Sequence, residues 1–278
     1  FSYDFYFLCE LSVPATKMQF FSNETYIDGD IKTYEGEDVG LVVHFGEDVN
    51  EPVIIKAGVS YVDSEGARKN FEAESKDFDF NKMKERASYE WEKVFDGVEV
   101  TGTDEIDLKL FYTCLYHVFL DPRSAMDVDG RFTIGDGTVF TADYTHRTLF
   151  SGWDVYRSEF PLLTVIRPEM VNDEVNSLLR IAEYRNESLP QWELLGINAG
   201  CMVGDPATIV VCDAAVKGIK NFDIEKAYEI MKASALCKKE LFGKPFHSVR
   251  PDCKQYLEKC YVLSAAKAKE DESWKDSC

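Results

Sequence analysis

Between residues 53 and 61 the chain alternates. Val53, Ile55, Ala57, Val59 and Tyr61 interleave with a more polar set that contains Lys56, Gly58 and Ser60. A two-residue period puts successive side chains on opposite faces, so this stretch predicts a half-buried β-strand. The preceding run "VGLVVHF" also favours a strand, and "VNEP" supplies a turn between the two. The first ~75 residues therefore predict an antiparallel sheet structure. After "FDFN" the period lengthens: in "KMKERASYEWEKVF" the apolar positions are Met83, Ala87, Trp91 and Val94 or Phe95, which share one helix face. This charged helix reads as the connection between two domains.

Beyond Thr103 the helical period dominates. Leu108, Phe111, Leu115, Val118 and Phe119 form a stripe that Pro122 terminates. Residues 121 to 150 are rich in Gly and Asp, with strand-like pieces "RFTI" and "TVFTADY", and predict a hairpin-bearing loop. Pro168 can open a helix whose buried face is Val171, Val175, Leu178, Leu179 and Ala182. A further helix is expected from Pro206 to Lys217 with Gly218 as its stop. Asp223 can cap the next, with Ile224, Ala227, Tyr228 and Met231 as its inward stripe. Helices of these lengths pack as antiparallel pairs in a bundle or ring.

Composition narrows the partners. At 278 residues the chain exceeds the usual ~100–200 per domain, so one large or two smaller domains are expected. No apolar run approaches the ~20 residues of a membrane span. A net charge of -19 argues against nucleic acid and anionic membrane, which need clustered Lys and Arg, and suits a neutral or cationic ligand. The stretch that begins at Phe1 shows no charged segment ahead of an apolar one, and without an initiator Met it leaves the destination open. The eight cysteines lack CxxC pairs or Cys/His metal spacing and read as buried small side chains, with one disulfide among Cys237, Cys253 and Cys260 if the compartment is oxidising. Asn23-Glu24-Thr25 and Asn186-Glu187-Ser188 are sequons that would accept glycans only in a secretory setting.

Common catalytic signatures are missing: there is no GxSxG elbow, HExxH, complete P-loop or GxGxxG turn. "DVDG" at 127 to 130 has Ala125 where a calcium loop needs its first ligand, and no closing Glu, so it reads as a turn. Four histidines, none close together, give a His-based metal site little support. What remains is three clusters: "SGWDVYR", "LPQWELLG" and "NAGCMVGDP", each at or before the start of an expected helix. An indole covers the apolar C–H face of a pyranose while charged groups bind its hydroxyls, so Trp153, Asp154 and Arg157 suit a sugar. Spacing alone equally allows Asp154 and Arg157 to be a surface i,i+3 pair, and Trp153 and Trp192 to be core.

A resemblance adds weight to the sugar. "IIKAGVSYVDSEGARKNFEAE", "LFYTCLYHVFLDP", "SGWDVYRSEFPLLTVIRPEMVNDEVNSLL", "LPQWEL" and "CMVGDPATIVVCDAAVKGIKNFD" stand in an order and at spacings similar to glycosyl hydrolase family 92, the calcium-dependent exo-acting α-mannosidases. The resemblance runs from "YDFYFLCELSVP" to about residue 235. It implies an N-terminal antiparallel β-sandwich, of which 1–76 is part, a helical linker over 77–103, and the first part of an (α/α)6 barrel over 104–278. It also implies removal of terminal α-linked mannose with inversion, calcium as cofactor, mannose-containing glycans as partners, and a secreted or periplasmic location. Trp153 and Asp154 match the family's Trp-Asp motif near the terminal mannose, and sugar-binding roles extend by the same resemblance to Arg157, Trp192, Met202 and Asp205.

The departures set a second expectation. The family's general acid, calcium ligands and base lie in EGN-, NEP- and GDEDxG-type motifs that this chain does not reach before Cys278, so no catalytic residue or metal ligand is assigned to it. Cys260 stands where glycine is usual, and Pro206 where His is common after "MVGD". Two outcomes fit: a fragment of a longer α-mannosidase, or a non-catalytic glycan-binding or interaction protein from a truncated gene. Half a helical ring would need its missing half or a partner to cover its apolar faces.

Overall fold

The computed structural model describes residues 3–247 apart from 28, 30, 75, 76 and 103. The chain divides into two compact units, Phe5–Asp96 and a second built from Gly97 onward.

The first unit holds strands β1 (Tyr6–Leu11), β2 (Lys17–Ser22), β3 (Thr25–Tyr26), β4 (Val39–His44) and β5 (Ile55–Ser60), then helices α1 (Ser64–Glu74) and α2 (Phe80–Phe95). The two strands expected around "VNEP" exist but belong to different sheets: β4 pairs antiparallel with β2, and β5 with β1. The expectation of sheet up to about residue 75 fails at α1. Asp63 accepts from the Gly66 backbone N–H at 2.6 Å and caps this helix, whose buried residues are Gly66, Ala67 and Phe71.

The docking of α1 reverses the usual sense of the strand alternation. On β5 the buried residues are Gly58 and Ser60, while Ile55 and Val59 are exposed. Gly58 explains this, because a Cβ there would stand 2.4 Å from Cβ of Phe71 and 2.6 Å from the Ala67 carbonyl oxygen. A residue without a side chain lets the helix backbone come this close. Lys56 lies on the same side, its ammonium 4.2 Å from the Phe78 ring centre and 3.2 Å from Glu10. In α2, Asp79 caps by accepting from Lys82 N–H at 3.0 Å, and Met83, Trp91, Val94 and Phe95 are half-buried while Ala87 is exposed.

The second unit opens with α3 (Glu105–Val118), capped by Asp104. Leu115 and Phe119 are buried and Leu108 and Val118 half-buried, as the stripe predicts, but Phe111 faces outward. Next come β6 (Arg123–Ser124), the β7 (Arg131–Ile134) and β8 (Thr138–Thr141) hairpin expected from "RFTI" and "TVFT", and β9 (Arg147–Thr148), which pairs with β6. Helices α4 (Gly152–Val155), α5 (Glu159–Ile166) and α6 (Pro168–Arg185) follow, then the β10 (Glu193–Leu194) and β11 (Ile197–Asn198) hairpin, α7 (Pro206–Val216) and α8 (Ile224–Ala235). All five predicted inward residues of α6 are buried, and Phe132 and Ile134 of the hairpin pack with Ile181 of α6. Gly218, with φ +92, stops α7 where expected.

On α8 the predicted stripe is displaced. Asp223 caps it by accepting from Lys226 N–H at 2.9 Å, but the buried residues are Ala227, Ile230, Ala233 and Ser234, and Ile224 is exposed. Of the predicted stripe Ala227 is buried and Tyr228 and Met231 are half-buried, and Ile230, Ala233 and Ser234 complete the inner side. Cys237 is disulfide-bonded, while the other candidates, Cys253 and Cys260, lie outside the described residues. Cys9 and Cys114 are exposed free thiols and Cys201 and Cys212 are half-buried, so none of these four is the fully buried side chain expected. Asn186 ends α6 in a left-handed conformation, buried, with its amide donated to the Pro245 carbonyl, whereas Asn23 lies on an exposed turn between β2 and β3. Among the described residues no helix is long and apolar enough to cross a membrane.

Candidate functional site

The three sequence clusters meet at one glycine. A Cβ on Gly152 would stand 2.5 Å from Phe150, 2.5 Å from Pro206 and 2.6 Å from the Gln191 carbonyl oxygen. Only a bare backbone fits between these segments. Gln191 ties them further by donating its side-chain amide to the Gly204 carbonyl at 2.9 Å. Gly204, with φ +90, lies against Trp153: a Cβ there would be 3.9 Å from the indole Cζ3. "SGWD", "LPQW" and "VGDP" are thus neighbours in space.

The individual side chains follow from that junction. Trp153 is half-buried on α4, and the Arg157 guanidinium lies 4.2 Å from its ring centre and 5.2 Å from that of Tyr156. Such stacking contributes about 0.5–1 kcal/mol where exposed. Asp154 is exposed and accepts the Ser151 hydroxyl at 2.6 Å. The pair is therefore split: Arg157 goes to the indole and Asp154 to Ser151, so the surface i,i+3 pairing is not formed. Asp205 is buried at the start of α7, one residue from Gly204. Met202 is exposed with φ +68, on the same loop. Trp192 is half-buried; its carbonyl accepts from Ala199 N–H at 2.8 Å, and among the described ring contacts Trp153 pairs with Tyr156 and not with Trp192.

Below the junction is a buried carboxylate that the sequence clusters contain but do not single out. Glu193 is 1% exposed. Its Oε1 accepts from the Thr148 hydroxyl at 2.9 Å and from Gly196 N–H at 2.5 Å, and its Oε2 accepts from Phe150 N–H at 3.3 Å. The Thr148 oxygen in turn accepts from Leu195 N–H at 2.7 Å. Backbone pairing reinforces this, with Glu193 N–H donating to the Phe150 carbonyl at 2.9 Å. Burial pushes the Glu193 carboxyl up to about 7, against the opposing pull of these donors.

Glu174 of α6 faces the same buried region. It is 1% exposed and neither carboxyl oxygen has a hydrogen-bond partner. Burial first, and Glu193 second, raise it well above the ordinary carboxylate range, with Arg147 opposing. Arg147 donates to the Pro122 carbonyl at 3.0 Å and to Asp173 at 3.4 Å. Glu159 at the start of α5 is raised to about 7 by burial and then by Asp121. Among the described residues no three His, Cys, Asp or Glu side chains stand together as a metal site.

Comparisons with known proteins agree on one kinship. A model of the glycosyl hydrolase family 92 catalytic domain matches residues 66–277. The structure is similar to that of the family GH92 alpha-mannosidase BT3965 from Bacteroides thetaiotaomicron, with a TM-score of 0.72, 30% identity, and coverage of 83% of this chain and 32% of that one. It is also similar to the family GH92 inverting mannosidase BT2199 from Bacteroides thetaiotaomicron VPI-5482, with a TM-score of 0.76, 27% identity, and coverage of 83% and 31%. A third likeness is to the gh92 family glycosyl hydrolase ccman5, with a TM-score of 0.68, 25% identity, and coverage of 84% and 32%. The chain spans about a third of the length of these proteins. Among curated proteins, none matches.

Proposed function

The chain belongs to glycosyl hydrolase family 92, and from that premise we propose that residues 150–206 form one wall of a pocket for a terminal α-linked mannose. The observation that carries this is the packing of Gly152 against Gln191 and Pro206, which draws three separated segments around Trp153. A pyranose presents an apolar C–H face and a rim of hydroxyls. The part of the indole that Arg157 leaves open suits the first, and the exposed Asp154 carboxylate and the Arg157 donors suit the second. The same reading extends a sugar-binding role to Trp192, Met202 and Asp205.

The reaction of the family-length protein is, in this reading, hydrolysis of α-1,2-linked mannose with inversion. It needs an acid and a base carboxyl ~6.5–9.5 Å apart, one protonating the departing oxygen and one activating water from the opposite face. We give neither role to Glu193, which is enclosed by three donors, or to Asp154, which is engaged by Ser151. Both are assigned outside this chain. Among the described residues no three His, Cys, Asp or Glu side chains stand together, and we place the calcium ligands outside this chain.

We read the first unit as part of a β-sandwich and α3 to α8 as the first part of an (α/α)6 barrel. Ile106, Val165 and Val216, at 76%, 76% and 85% exposure, are then groups that further helices or a partner cover. The Cys237 disulfide favours an oxidising, secreted or periplasmic setting.

Calorimetric titration of the 278-residue chain tests the site. Methyl α-mannoside should bind in preference to methyl α-galactoside, and Trp153→Ala should weaken binding about tenfold, or ~1.4 kcal/mol. Equal affinity for both sugars, or an unchanged Trp153→Ala variant, would remove the reading. Cleavage of α-1,2-mannobiose by this chain would show that its acid and base are not elsewhere.

A further inference from the structure

We propose that Glu193 is the positioning residue of the sugar-facing turn: through Thr148, Phe150 and Gly196 its buried carboxylate fixes the segment that presents Trp153 and Asp154. The inference rests on the mannose reading only for its purpose, since the clamp itself is a matter of hydrogen bonds.

Three features separate a clamp from a passive buried acid. First, the bonds bridge distant stretches: Thr148 and Phe150 lie more than forty positions before Glu193, and both come within five positions of Gly152 and Trp153 in sequence. Second, each bond has a distinct donor. Oε1 takes the Thr148 hydroxyl and Gly196 N–H, Oε2 takes Phe150 N–H, and the Thr148 oxygen passes the link on to Leu195 N–H. Third, the segment held is strained in the sense that requires holding. Leu149, between the two clamped residues, has φ +69, and Leu195 has φ +48, left-handed values that residues with a side chain adopt at a cost. In its ionised form, the one present above about pH 7, the Glu193 carboxylate accepts at both oxygens, whereas a glutamine would point an NH2 group at the Phe150 or the Gly196 N–H. Glutamine is thus nearly the same shape but cannot make the same set of bonds.

The test uses the 278-residue chain labelled with 5-fluorotryptophan, with the Trp153 resonance assigned by loss in Trp153→Phe. Glu193→Gln and Thr148→Val are the disruptive variants, and Thr148→Ser, which keeps the hydroxyl, is the conservative one. Thr148→Val keeps the experiment decisive if Glu193→Gln does not fold. The expected result is a displaced or broadened Trp153 fluorine signal in both disruptive variants, at least tenfold weaker methyl α-mannoside binding, and recovery of both in Thr148→Ser. A folded Glu193→Gln or Thr148→Val protein with an unchanged Trp153 signal and unchanged affinity would overturn the proposal. If the signal moves but the parent chain binds no mannoside, the clamp stands and the mannose reading falls. If the parent binds mannoside and neither variant differs, the clamp falls and the mannose reading stands.

Discussion

Strand β5 and helix α6 both carry a clear apolar pattern, yet they use it in opposite ways. On α6 the apolar stripe of Val171, Val175, Leu178, Leu179 and Ala182 is the buried face. On β5 the apolar set is exposed, and the buried side is Gly58 and Ser60 with the Lys56 stem. A helix packed on several neighbours buries whatever stripe is apolar, because the hydrophobic gain is the same from any of them. A strand covered by one helix buries the face on which that helix fits. Here Gly58 decides, since it alone lets Phe71 and the Ala67 carbonyl approach.

Substitutions sharpen this contrast. The largest effect is expected at Leu178, fully buried on α6, where Leu178→Ala should cost about 2–5 kcal/mol in chemical denaturation. A value near zero would mean that the α6 face is not a packed core.

The next effect is in pH. Glu193 is raised from 4.5 to about 7, Glu159 likewise, and Glu174 well above 4.5. A carboxyl whose folded pKa is raised holds its proton more firmly folded than unfolded. Its contribution is therefore fully present below about 4.5 and lost as pH rises through about 7. Stability should be higher at pH 5 than at pH 8, and Glu174→Met, which removes an unpartnered buried acid, should flatten part of the decline. A rise in stability from pH 5 to pH 8 would contradict the burial of these groups.

In the first unit, Gly58→Ala should destabilise by about 1–3 kcal/mol through overpacking against Phe71, while Val59→Ser, one residue on and 47% exposed, should stay within about 0.5 kcal/mol. The reverse order would mean that the apolar side of β5 is the covered one.

The same physics explains what was legible in the sequence. The helix cap at Asp223, the β7 and β8 hairpin, the start of α6 at Pro168 and the bounds of α7 all follow from local chemistry, whereas the caps at Asp79 and Asp104 were not singled out. Helix α1 was hidden because "SEGARKNFEAE" is too polar to announce a buried side, which amounts to Gly66, Ala67 and Phe71. On α8 the expected Ala227 is buried, but Ala233 and Ser234 mark close packing that a search for large residues passes over.

The site divides in the same way. Trp153, Asp154 and Arg157 stand out as residue types in "SGWDVYR", and ordered resemblance links them to "LPQWEL" and "MVGDP". Their split, with Arg157 on the indole and Asp154 on Ser151, depends on rotamers that no spacing encodes. Glu193 is one acidic residue inside the apolar run "WELL", and that contrast is the signal by which it could have been found. Thr148 offers no such signal, because its role exists only once β9 and the β10 and β11 turn are adjacent.

The most direct measurement of the central claim is photoaffinity labelling of the chain with an α-mannoside that carries a diazirine, followed by mapping of the labelled residues. The account predicts label within 151–157 and 191–206, competed away by methyl α-mannoside. Label confined to the first unit, or label that excess mannoside does not displace, would contradict it.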